Sequence, residues 1–106
     1  MFRPYVSFAG SGFISVDLVY RKKHKVFLEN IGFSIDKSNS HNYSKDCTYE
    51  EMIKLFQILN DNGFAFSCGK EWNPADLYEY YREQGLLNGK FRKVFFIDGF
   101  PFCYWK

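Results

Sequence analysis

Twenty-three rings in 106 residues (13 Phe, 8 Tyr and 2 Trp) are the strongest constraint on this chain. Each ring buries a large area and must pack against something. A chain of this length makes one domain, residues 1–106, with a real core but a high ratio of surface to volume. Such a domain is not expected to hide every ring. Some of them are therefore predicted to sit at an interface. Hydrophobic residues at 46% and charged residues at 25% are ordinary globular usage and exclude disorder as the default.

The spacing of apolar residues predicts an α+β domain. Residues 2–8 read as a first strand, and residues 9–12, with Gly10 and Gly12, as a turn. Residues 13–20 alternate: Ile14, Val16, Leu18 and Tyr20 on one face, Ser15 and Asp17 on the other. Residues 21–24 read as a charged turn. Residues 25–31 then return as a third strand, continued through Phe33 and Ile35 after a kink at Gly32. The polar stretch from Asp36 to Cys47 reads as a long loop.

Thr48-Tyr49-Glu50-Glu51 is a capping box, and the stripe through Met52, Leu55, Phe56 and Leu59 predicts a helix running to about Asp61, closed by Gly63. Residues 64–68 form a short buried strand. Asn73-Pro74-Ala75-Asp76 starts a second helix that ends near Gly85. Arg92 to Ile97, a turn at Asp98-Gly99, and Phe100 to Trp105 make a hairpin. Pro101 puts its last strand at an edge. The predicted order is βββ-α-β-α-ββ, a mostly antiparallel sheet with two helices packed on one face.

Few motifs carry chemistry. Three cysteines (Cys47, Cys68, Cys103) without C-x-x-C spacing form neither a disulfide framework nor a zinc finger, and they point to a reducing, cytoplasmic compartment. No signal peptide and no membrane-spanning run is expected. Cys68 with His24 or His41 could form a nucleophile pair, but the simpler reading is a small hydrophobe ending a strand. His24, His41 and Cys47 lack metal-ligand spacing. Glu50/Glu51 fit a helix N-terminus, and Glu79/Glu83 a solvated helix face. No catalytic, cofactor-binding or metal residue is assigned, and no cofactor is implied.

Two surfaces remain. Tyr78, Tyr80 and Tyr81 span too wide an arc of one helix to point inward together, and the last hairpin carries rings at Phe100, Phe102, Tyr104 and Trp105 on both faces. These seven residues form the predicted protein interface, either with a second copy or with another protein. The alternative is nucleic-acid binding through Arg21, Lys22, Lys23 and Lys25 with Lys90, Arg92 and Lys93, if both clusters share a face. A net charge of +2 does not decide this. Bases exceed acids seven to four up to Cys47, while acids exceed bases eight to seven from Thr48 on. A ring-lined pocket for a small molecule, as ligand binder or enzyme, is the third class.

The segment Trp72-Asn73-Pro74-Ala75-Asp76-Leu77 through Arg82-Glu83-Gln84-Gly85-Leu86 resembles small orphan proteins carried by mobile elements, of the integron gene cassette or phage type. The resemblance implies an accessory or interaction role without catalysis and transfers no site residue.

Overall fold

The computed structural model describes residues 3–68, 74–97 and 100–105. Along the chain run β1 (Tyr5–Gly10), β2 (Phe13–Asp17), α1 (Lys22–Asn30), β3 (Ser34–Asp36), β4 (Asn39–Asp46), α2 (Tyr49–Asp61), β5 (Ala65–Ser67), α3 (Pro74–Glu83), β6 (Arg92–Ile97) and β7 (Phe100–Trp105). The strands form one sheet in the order β3-β4-β2-β1-β5-β6-β7. The α+β class holds, but the sheet is mixed and the described residues form three helices. Strand β5 lies parallel to β1 and β6 parallel to β5, and the other ladders are antiparallel. Helix α3 carries the chain from β5 back to the start of β6, as a parallel pair requires.

Two expected elements change type. Residues 22–30 are a helix, not a charged turn and strand. His24, Phe27, Leu28 and Ile31 recur at helical spacing: Leu28 is buried, and the rings of His24 and Phe27 lie 5.4 and 5.7 Å from that of Phe64. Gly32, at φ 100°, ends this helix. The polar loop is strand β4, in which Tyr43 alone is fully inward.

The first hairpin turns through Ser11 and Gly12, both at positive φ (51° and 86°), the conformation that matches strand twist in a two-residue turn. Strand β2 stops at Asp17 because Leu18 is left-handed, at φ 60°. That flip breaks the expected alternation: Val19 goes inside, and Tyr20 is exposed. Helix α2 starts as predicted. The Glu51 amide donates to the Thr48 hydroxyl (3.2 Å), and the Thr48 amide donates to the Glu51 carboxylate (3.0 Å).

All three helices cover the same sheet face. Val6, Ile14, Val16, Tyr43 and Phe66 from the strands join Leu28 of α1, Leu55, Phe56 and Leu59 of α2, and Ala75, Tyr78 and Tyr81 of α3 in one apolar cluster. Phe56 sits centrally, with the rings of Phe66, Tyr81 and Tyr78 at 5.1, 5.9 and 6.3 Å. Each such buried ring stabilises by roughly 1.5–3 kcal/mol, and ring pairing adds about 0.5–1.5 kcal/mol. The buried Tyr78 hydroxyl accepts from Asn60 Nδ2 (2.8 Å) and donates to the Asn88 carbonyl (2.9 Å), tying α3 to α2 and to the loop before β6.

The β7 edge follows from the ladder. Cys68 N–H donates to the Val94 carbonyl, so Val94 faces β5, and residues 93, 95 and 97 face β7. Their partners 104, 102 and 100 face back. The outward positions are therefore 101, 103 and 105, and the residue without an N–H, Pro101, occupies one of them.

Candidate functional site

With the helices on one side, no described helix or strand lies over the other sheet face, where Ala65 and Val94 of β5 and β6 are buried and the β1, β2 and β4 residues are partly exposed. Cross-strand register defines its rows. Asp17 pairs Tyr5, Tyr5 pairs Ala65, and Ala65 pairs Arg92 across β2, β1, β5 and β6. The next row runs Ser44, Ser15, Phe8. Asn42 Nδ2 donates to Asp17 Oδ1 and to Ser15 Oγ, each at 2.8 Å, which fixes the β4 side of this face. Burial, then Asp17, then Tyr20 push the Tyr5 phenol above its ordinary value, so it remains a neutral donor.

One irregularity reshapes this face. Simple alternation from Val6 would put Phe8 inside with the core. The register shifts between Val6 and Phe8, so Phe8 faces Ser15 on the open side, and Ala9 takes the inward position opposite Ile14. This is a β-bulge, which re-aims a side chain at the cost of one ladder position. Phe8 stays 43% exposed and stacks on Phe13, with centroids 4.7 Å apart and planes 20° apart. Both faces of β1 are thereby apolar at its far end.

The predicted interface residues divide. Tyr78 and Tyr81 are core residues, 0% and 3% exposed, and offer no surface. Helix α3 packs against both α2 and the sheet, which takes Tyr78 and Tyr81 inside but not all three tyrosines. Tyr80 is exposed. The side chains of Phe100, Phe102, Tyr104 and Trp105 lie outside the described residues, as do the turn Asp98-Gly99 and the cap Asn73. The Phe8–Phe13 pair was missed because a bulge leaves no mark in hydrophobic alternation.

The basic clusters do not meet on one face. Arg21, Lys22, Lys23 and Lys25 belong to α1, on the helix side beyond the end of β2. Arg92 stands on the open face three strands away from β2, about 14 Å by strand spacing. Lys90 is exposed in the loop before β6. Lys93 pairs Phe66 on the helix-covered face, is 8% exposed, and reaches Glu79 of α3 at 3.0 Å. It is a packing residue and not a surface cation.

The titratable groups follow their surroundings. His24 is pushed down by burial and by Lys23 and Arg21, so it is neutral beside Phe64. Burial raises the Cys47 thiol, which is the opposite of nucleophile activation. Cys68, partly buried, packs against the main core cluster. Among the described residues no three His, Cys, Asp or Glu side chains are placed to share a metal ion, and no helix is long and apolar enough to cross a membrane. No family model, curated protein or solved structure matches the chain.

Proposed function

We propose that this protein is a non-catalytic accessory protein of the cytoplasm that works by binding protein through the sheet face opposite its helices, on the β1, β2 and β4 side, first of all a second copy of itself. The carrying observation is the bulge that turns Phe8 outward to stack on Phe13. A domain with one layer of helices and a mixed sheet gains nothing for its own core from that placement. An apolar pair set in a polar rim of Ser15, Ser44, Asn42 and Asp17 has the anatomy of an interface centre. Charge supports self-pairing: Asp17 and Asp46 lie on the β2–β4 side, and Arg92 lies on β6. A two-fold axis through the middle of the face sets the acidic side of one copy on the basic side of the other.

The test is light scattering of the full chain over a hundredfold concentration range. The reading expects twice the monomer mass for the native sequence and a monomer for Phe8→Ser. Phe8 is already largely outside the core, so Phe8→Ser keeps the fold. A native chain that stays monomeric throughout refutes self-association, and equal masses for the two proteins refute the role of Phe8.

A further inference from the structure

A concavity lies where the Ser11–Gly12 turn meets the start of α2 and the flank of α3, on the helix side of the turn that follows Phe8. It measures about 360 Å³, within the roughly 300–1,000 Å³ range of small-molecule sites. Its walls are Ala9, Cys47, Tyr49, Met52, Leu77 and Tyr81, and its rim is the backbone of residues 10–12. None of these lining side chains carries a formal charge at neutral pH. Burial, with Tyr49 next in effect, pushes Tyr81 up to about 12, and burial raises Cys47. Both therefore stay neutral, and the thiol is not a nucleophile.

The wall chemistry selects the ligand. The Tyr49 and Tyr81 rings meet edge to face, 5.6 Å apart and at 88°, offering ring edges and faces together. Met52 supplies a polarisable thioether that favours contact with another ring. A charged guest would lose its water and meet no counter-charge among the lining side chains. We propose that this cleft binds a small uncharged aromatic molecule, held by ring contacts with Tyr49, Tyr81 and Met52 and by apolar contact with Leu77. The site is independent of the sheet-face interface and stands if that reading fails.

The experiment is a titration of the full-length protein with indole, followed by amide chemical shifts, with the anionic indole-3-acetate as comparison. Expected are saturable shifts at Cys47, Met52, Leu77 and Tyr81, and at least tenfold weaker binding of the acetate. Leu77→Trp fills the cleft, and Tyr49→Ala removes an exposed wall. Each should weaken indole at least tenfold while amide dispersion shows the fold intact. If Leu77→Trp does not fold, Tyr49→Ala alone carries the comparison. Any of three results overturns the proposal: no saturation up to the solubility limit of indole, shifts centred on Phe8 and Phe13, or unweakened binding by a folded variant.

Discussion

Lys93→Met is the substitution that best tests how the helices are fastened to the sheet. The Lys93 ammonium and a Glu79 carboxylate oxygen stand 3.0 Å apart, with side chains 11% and 26% exposed. At an effective dielectric of about 20, that separation corresponds to a gross attraction of about 5–6 kcal/mol. Desolvation of both ions offsets most of it, so the pair as a whole contributes little. Removing the cation alone is different, because a partly buried carboxylate stays behind. Loss of one partner of a buried pair costs about 3–5 kcal/mol; Glu79 keeps a quarter of its side chain in water, so about 2–3 kcal/mol is expected here.

Methionine keeps the length and volume of the lysine stem, so packing against Phe66 is retained. Lys93→Met combined with Glu79→Met should then lie within about 1 kcal/mol of the native protein. Urea unfolding followed by circular dichroism measures all four members of the cycle. With a slope of about 1.5 kcal/mol/M, the single variant loses between one and two molar in midpoint. A single variant as stable as the native chain, or a double variant no better than the single, refutes the reasoning. The same Lys93→Met protein should bind single-stranded DNA no differently from the native one.

Tyr78→Phe leaves the Asn88 carbonyl and Asn60 amide without their shared hydroxyl and should cost about 1–3 kcal/mol in urea unfolding, with the fold retained. Gly85→Ala isolates backbone strain, because φ is 78° and an added Cβ meets nothing within 4 Å; a loss of about 1 kcal/mol is expected, and a neutral result would contradict the left-handed assignment. The backbone N–H and then the hydroxyl of Thr48 hold the Glu51 carboxyl below its ordinary 4.5, and Ser38, first by its N–H and then by its hydroxyl, lowers Asp36 from 3.8. Both folded values are depressed, so this stability is fully present above about pH 4.5 and is lost as pH falls through the lowered values; a melting temperature that rises on acidification from pH 5 to pH 3 would refute it. Pro101→Val restores an outward N–H on β7 and should raise concentration-dependent aggregation, measured by turbidity, without moving the monomer's melting point.

What was legible in the sequence was local. The Thr48 capping box and the 3.6-residue stripe fixed α2 because each hydrogen bond and each contact spans a few residues. The final hairpin and its edge position were legible for the same reason, since Pro101 acts through its own missing N–H. Residues 22–30 were legible too, but only if His24 is counted as a core-facing ring. With histidine taken as polar, Val26-Phe27-Leu28 reads as a strand. The sheet order was not local. Strand β1 lies between β2 and β5, so its parallel partner arrives about 60 residues later, with nothing in residues 5–10 to announce it.

The candidate site stayed hidden for a related reason. Strand β4 carries Asn42, Ser44 and Asp46 on the face opposite the helices and a single buried ring, Tyr43, on the other, so its polarity imitates a loop. A strand that is apolar on both faces is easy to find; a strand near the edge of a half-covered sheet is not. The bulge at Ser7 then moves Phe8 out of the core class to which its position assigns it. The number of rings predicts that some aromatic residues lie outside the core, and their density along the chain points to α3 and to the terminal hairpin, Phe100, Phe102, Tyr104 and Trp105. The packing of α3 against both α2 and the sheet absorbs Tyr78 and Tyr81 and leaves Tyr80 outside, and among the described residues Phe8, Tyr20 and Tyr49 are exposed as well. Aromatic density along the chain thus locates the core of this fold. The surface pair is located by a one-residue slip in register, which only the assembled ladder reveals.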